Sequence, residues 1–286
     1  MLSERSKLKA FQEKIFKYYA QNARIFPWRR TTNAYHILVS EIMLQQTQTD
    51  RVVPKYRAFL RLFPTWKALA QAQTAEVITA WQGLGYNRRA LNLKRCAEKI
   101  YLEHKGKMPQ ERKALESLPG IGPYTAGALL CFAFKKWEPL IETNIRRAFI
   151  HEFFQEQELI HDREIIEVLT KTLTCSQNHT EQACEEARCA AHWFYALMDY
   201  GAYLGKTLRT ANNPNKKSRH YTRQSKFEGS HRQVRGAILR YLTHNGSTKS
   251  SELYEKINVA EAQIKKALKE LEAEGFLTIG KTLRLI

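Results

Sequence analysis

Ten residues, Leu118-Pro119-Gly120-Ile121-Gly122-Pro123-Tyr124-Thr125-Ala126-Gly127, restrict the possible folds of this chain more than any other stretch. A proline and two glycines two apart interrupt a helical pattern, and a second helix starts at once, so the stretch reads as a helix-hairpin-helix. Glycine belongs where a turn takes positive φ or where backbone must come close to another surface. The N–H groups of Gly120 and Gly122 would then lie beside a helix N-terminus, where orphan amides and the helix dipole favour a phosphate. An ordinary αα-turn between packed helices suits the same residues, and the stretch alone does not separate the two readings.

The net charge bears on the choice. The chain of 286 residues carries a formal +18, and between residues 206 and 229 seven Lys and Arg face a single acid. Cations that neutralise phosphates release condensed counterions, so such an excess favours a polyanionic partner, although charge also serves solubility. Length allows about two domains with real cores. Five cysteines, Cys96, Cys131, Cys175, Cys184 and Cys189, are an odd number, widely spaced and without a CxxC pair, which argues against a disulfide framework and for a reducing compartment. No signal segment and no apolar run near 18 residues is present, so the expectation is a cytoplasmic protein, found with the DNA and away from any membrane.

Read in order, Leu8, Phe11, Ile15 and Tyr18 or Tyr19 fall on one face of a helix from Leu2 to Asn22. After Phe26-Pro27-Trp28-Arg29-Arg30, Thr32 and Asn33 cap an almost wholly apolar helix over 34–46 that contains one acid, Glu41. A lone carboxylate there is either functional or held by a structural partner such as Arg29. Helices follow over 50–62, 65–72, 75–82, 87–102 and 110–118, then the hairpin, a buried helix to Phe134, and Thr143-Asn144 as caps for a helix reaching Phe154. Two more run from Asp162 to Leu173 and from Thr180 to Leu204. Residues 206–230 lose the apolar period and read as a basic linker or arm, a solvated tether or a strip along a nucleic-acid backbone through Tyr221 and Phe227. From His231, three helices and a hairpin turning at Gly280-Lys281 make a winged helix-turn-helix. Its third helix, with Lys265, Lys266 and Lys269, suits a major groove, and the module equally suits docking to a protein.

Phe26-Pro27-Trp28-Arg29, Ser40-Glu41-Ile42-Met43-Leu44-Gln45-Gln46-Thr47, Gly83-Leu84-Gly85-Tyr86, Leu118 to Gly127 and Met198-Asp199-Tyr200-Gly201-Ala202 together resemble the helix-hairpin-helix DNA glycosylase superfamily, closest to adenine DNA glycosylases of the MutY type. The resemblance covers about residues 8–204. It implies an all-α fold of two lobes, a six-helix lobe around 30–134 and a second lobe from 1–29 plus 135–205, with the active cleft between them, followed by the arm and a winged helix domain over 231–286. Enzymes that act on a base inside a duplex extrude it first, and Leu44, Gln45 and Gln46 match the segment that wedges into the stack. Glu41 matches the acid that protonates the purine and then helps activate water, a role that wants a carboxyl raised in pKa by desolvation. Glu142 and Asn144 match the second carboxylate and its neighbouring cap, Gly120 and Gly122 the phosphate-binding hairpin, and Trp28, Arg29, Tyr86 and Asp199 the surface that receives substrate. Asp199 also admits the reading of an ordinary helix-surface acid. Tyr124 stands where strand-cutting relatives carry a Schiff-base lysine, so a monofunctional hydrolase is implied.

The chain departs from the family pattern at four places. Glu142 replaces an Asp, Asn87 replaces the Tyr that follows GLGY, a winged helix replaces the lesion-sensing Nudix-like domain, and no cysteine follows Cys189, so the four-cysteine iron–sulfur site is missing. Cys175, Cys184, Cys189 and His192 fit no familiar zinc spacing and read as core. The expectation is therefore a monomer without an iron–sulfur cluster, with room for a monovalent cation at the hairpin. It removes adenine mispaired with 8-oxoguanine or guanine from double-stranded DNA. Removal of thymine or uracil opposite guanine, which Asn87 and Glu142 would favour, and a non-catalytic DNA-binding regulator are the alternatives.

Overall fold

The structure is a computed structural model that describes residues 3–174, 188–208, 212–222 and 226–286. It divides into two compact units, each assembled from separate stretches of chain: Met1–Ala34 with Gly122–Arg223, and Tyr35–Ile121 with Gln224–Ile286.

The first unit is built on helix α1 (Glu4–Asn22), started by the Ser3 side chain accepting from the Ser6 N–H, with Leu8, Phe11 and Ile15 buried at helical spacing. Across the hairpin come α8 (Pro123–Phe132), α9 (Thr143–Phe153), α10 (Asp162–Thr174) and α11 (Arg188–Thr207). Phe11 packs edge-on against Phe149 of α9 and Trp193 of α11. Glu152 of α9 then ties the same three helices at the rim, accepting from Lys14 of α1 and Tyr200 of α11. Burial and the Glu152 hydrogen bond push the Tyr200 phenol up to about 12. Helix α8, expected in the six-helix lobe, belongs to this unit, where Phe132 stacks on Tyr195 of α11 at 4.7 Å.

The second unit contains α2 (Ala34–Leu44), α3 (Thr49–Leu62), α4 (Trp66–Gln71), α5 (Thr74–Trp81), α6 (Arg88–Leu102) and α7 (Arg112–Glu116) around Phe59, Leu69, Ile78 and Trp81. Helix α7 is shorter than the expected 110–118. The C-terminal helices α12 (His231–Asn245), α13 (Ser250–Lys256) and α14 (Glu261–Ala273) carry strands β2 (Leu277–Ile279) and β3 (Leu283–Leu285). The expected hairpin pairs Leu277 with Leu285 and Ile279 with Leu283. A further strand, β1 (Ser247–Thr248), joins β3 to give the order β1-β3-β2; two residues are too short to show an alternating pattern.

This winged helix is built onto α5 and α6. Glu274, just past α14, accepts both forks of Arg88 and a bond from Arg235, while its carbonyl accepts from Arg95. Gln82 donates to Thr243, and the Ala75 N–H donates to the carbonyl of Ile286.

One further expectation changes. Part of the basic arm is folded into the first unit: Pro214–Lys217 is a 3₁₀ turn, Ile160 exchanges backbone hydrogen bonds with Lys217 and Arg219, and the buried Asn215 donates to the carbonyl of Thr143. Backbone pairing and a buried amide, neither visible in composition, remove this part from the tether reading. The expected start of the last helix at Thr180, together with Cys175 and Cys184, lies outside the described residues, as does the Cys189 side chain. Cys96 and Cys131 are buried, and burial pushes the Cys96 thiol up to about 12. Among the described residues no helix is long and apolar enough to cross a membrane.

Candidate active site and nucleic-acid interface

Helix α2 is apolar on nearly every face, and Glu41 is buried in it, 7% exposed, among Leu38, Ile42 and Met43. The helix stops one turn later. Leu44 and Gln45 are half-buried, and Gln46 is exposed with φ +53, a left-handed conformation uncommon for a side chain with a Cβ. Arg89, one residue into α6, holds that turn. Its guanidinium donates to the carbonyls of Ile42, Met43 and Gln45, to Thr47 Oγ1, and to the carbonyls of Leu84 and Gly85. One half-buried cation therefore satisfies the open C-terminal end of α2 and fixes the Gly83-Leu84-Gly85-Tyr86 turn, where Gly83, Gly85 and Tyr86 all have positive φ. Burial lowers its pKa to about 10, which leaves it charged at neutral pH. Arg89 was not among the expected site residues; an arginine three places after GLGY carries no signal of its own.

The hairpin takes the expected form. Leu118 and Ile121 turn inward, and Gly120, with φ +78, approaches α6 so closely that a Cβ would lie 2.9 Å from Cβ of Asn92. Gly122 is the N-cap of α8 with no side-chain cap, and Pro123 opens the helix. Gly120 and Gly122 are exposed, while Tyr124 is half-buried in the first turn.

In the first unit Asp199 is the hub, 2% exposed in the middle of α11. It takes both forks of Arg29 at 2.8 Å and is also bonded by the Nε and backbone N–H of Arg24. Burial alone would raise its pKa, but Arg29 and Arg24 outweigh it and hold the carboxyl below the usual carboxylate range. The surface-acid reading is thereby corrected. Arg29 directs its terminal nitrogens to Asp199 and the Arg24 carbonyl, with its guanidinium over the Tyr195 ring at 4.5 Å. Trp28 is buried and stacks flat on Phe26.

Glu142, rather than Thr143 or Asn144, caps α9. Its Oε1 accepts from the N–H groups of Asn144 and Ile145 at 2.7 and 2.8 Å, and its Oε2 accepts from Asn144 Nδ2 at 3.1 Å. The extra methylene lets a glutamate reach the amides normally capped by a shorter acid. Burial raises the Glu142 pKa, opposed by those two amides and by Arg147 and Arg146. Arg147 bonds Asn144 Oδ1 and the Gly201 carbonyl, so the start of α9 is fastened to α11. Gly201 is needed there: a Cβ would sit 2.0 Å from the carbonyl oxygen of Asn144. Beyond α11, the described residues Asn212–Thr222 are packed on α9 through Asn215.

A mostly helical chain with a glycine hairpin, a buried acid one turn before an exposed left-handed turn, and a second carboxylate capping another helix has the makeup of a base-excision repair fold. Residues 39–190 match the model of HhH-GPD superfamily base excision DNA repair proteins, and the chain belongs to that family. Residues 232–278 match a winged helix-turn-helix DNA-binding model. The chain is similar to the adenine DNA glycosylase of Mycolicibacterium smegmatis, 46% identical over 134 residues that cover 46% of each chain. It is also similar to the adenine DNA glycosylase of Homo sapiens, 38% identical over 147 residues, 48% of this chain and 27% of the human one. The matched stretch spans less than half the length of these relatives. Among solved structures, a thermostable thymine-DNA glycosylase is 25% identical with a TM-score of 0.57 over 69% of this chain and 87% of its own. An endonuclease III crystallised with DNA shares the fold at 16% identity, with a TM-score of 0.58 over 73% of this chain and 90% of its own.

Proposed function

We propose that this chain is a monofunctional DNA glycosylase of base excision repair that hydrolyses the N-glycosidic bond of an adenine mispaired with 8-oxoguanine or guanine. The observation that carries it is the buried Glu41 set one turn before the Leu44–Gln46 turn that Arg89 locks in place. The names of the similar relatives support the choice of base.

In this reading Gln45 and Gln46 enter the duplex as the base leaves the stack. Glu41 gives its carboxyl proton to N7 of the purine, the bond from the sugar C1′ to the base breaks with its electron pair going to the base, and the sugar gains oxocarbenium character. A water then adds to C1′ as the Glu41 carboxylate takes its proton. Glu142 is oriented by three hydrogen bonds and supplies negative charge for the cationic sugar. The Arg29–Asp199 pair, with both Asp199 oxygens taken up by Arg29 and Arg24, supports the surface that receives the base from behind. Gly120 and Gly122 bring bare backbone to a phosphate. With tyrosine at position 124 no Schiff base forms at the hairpin, so the abasic product keeps its strand intact. The protein acts as a monomer and, having no thiolates after α11, carries no iron–sulfur cluster.

Removal of thymine or uracil opposite guanine is the second reading, favoured by Asn87, by Glu142 and by the similarity to a thymine-DNA glycosylase. Single-turnover base release from duplexes holding A:8-oxoguanine, A:G, T:G and U:G, with and without alkali, separates them. Alkali-dependent cleavage confined to adenine strands is expected. Cleavage at T:G or U:G alone would move the chain to the second reading, and cleavage without alkali would overturn the hydrolase assignment. Glu41→Gln is expected to abolish release while leaving DNA affinity within about two-fold; a variant that still turns over removes Glu41 from its role.

A further inference from the structure

The chemistry above leaves one cluster of the second unit unused. Tyr86, at φ +48, is fastened through its turn to the guanidinium of Arg89 that also fixes Gln45. The Gln45–Gln46 turn and Tyr86 are therefore one rigid piece. Arg232, in the first turn of α12, reaches it: its guanidinium lies 4.8 Å from the centre of the Tyr86 ring and donates to the Tyr86 hydroxyl. The same guanidinium lies 5.3 Å from the ring of Phe227.

Phe227 is 51% exposed, yet its backbone is fixed. Its carbonyl accepts from both the N–H and the hydroxyl of Ser230, the residue that caps α12, and the intervening turn is closed by Gly229 donating to Gln233. The Glu274 contacts with Arg88 and Arg95 hold α12 where Arg232 meets Tyr86. An aromatic ring half in water, carried on a fixed backbone beside a guanidinium, has the makeup of a nucleobase-stacking platform: the ring offers its face and the cation the charge for an adjoining phosphate.

We infer that Tyr86, Arg232 and Phe227 form a composite site for an unpaired base of the opened duplex, with Phe227 stacking on that base and Arg232 on its phosphate. The site rests on the reading that the chain opens a duplex, since extruding one base leaves its partner unpaired beside the gap. The winged helix then contributes to recognition through its first helix, apart from whatever its third helix contacts.

The test uses the full chain and a duplex with 2-aminopurine facing a tetrahydrofuran abasic site, so that the probe base is unpaired whether or not any base is released. A fully paired duplex of the same sequence is the control. The wild type is expected to quench the 2-aminopurine. Phe227→Ala is expected to lose most of the quenching and about ten-fold in affinity for the abasic duplex, the scale of one base–aromatic stack, with less than two-fold change on the paired duplex. Phe227→Trp restores both, and an unchanged melting temperature shows that Phe227→Ala is folded. Quenching and affinity that are the same in wild type and Phe227→Ala overturn the site. Base release by the wild type, assayed alongside, keeps the two ideas apart. Phe227-dependent quenching without release on any mispair sinks the glycosylase and leaves the site standing, and release with Phe227-independent quenching does the reverse.

Discussion

Asp199 and Glu142 sit in one unit, each flanked by arginines and backbone amides, and their pKa values move in opposite directions because different forces win. At Asp199 two arginines overcome burial; at Glu142 burial overcomes two amides and the charges of Arg147 and Arg146. A carboxyl whose pKa is depressed by folding contributes stability that is present above its unfolded value, about 3.9, and that disappears as pH falls through the folded value. Asp199→Asn leaves Arg29 buried without its counter-charge and is expected to cost about 3 kcal/mol at pH 7. As pH falls from about 3.9 toward the depressed folded value, the unfolded chain takes up the proton first, so the stability that Asp199 contributes fades and the gap between the two proteins should narrow. Thermal melts at pH 7 and pH 3 check this, and a gap that widens in acid would contradict the ion-pair account.

Among the elements, two glycines give opposite expectations. Gly201→Ala forces a Cβ into the Asn144 carbonyl, pushes α9 from α11, and should cost about 3 kcal/mol while displacing Glu142. Gly122 has open space where a methyl group would go, with no heavy atom within 4 Å, and keeps negative φ. Gly122→Ala should leave the melting temperature unchanged, and a several-fold loss of DNA affinity would report close backbone approach at the hairpin. The sequence carried the hairpin, the apolar helix around Glu41 and most helix bounds, because those follow from glycine stereochemistry and local periodicity. It did not carry Arg89, Arg24 or Arg147, whose roles depend on carbonyls and carboxylates brought near by folding. Nor did it carry the docking of Asn215 on Thr143 or the two-residue strand β1, which long-range pairing creates. Glu142 was legible as a second carboxylate but not as the cap of α9, since Thr143 and Asn144 are better caps by residue type alone.

For the whole molecule, the winged helix is bonded to α5 and α6 rather than hung from them, and this is measurable. Glu274→Ala removes the acceptor shared by Arg88 and Arg235 and is expected to cost about 1–2 kcal/mol, most of it from the less exposed Arg235 partner. If the winged helix melts together with α2–α7, the shift should appear in one calorimetric transition; a separate transition for residues 226–286, unmoved by the substitution, would make it an independent domain. The interleaving of the two units also sets an order of events during synthesis. Helices α2–α7 of the second unit leave the ribosome before α8–α11, yet their partner segment at 224–286 is made last, so the first unit receives its final stretch of chain earlier. A nascent chain with only residues 1–223 free of the ribosome would thus hold a complete first unit and a half-built second one, with Arg88 and Arg95 still awaiting Glu274 and Tyr86 still awaiting Arg232.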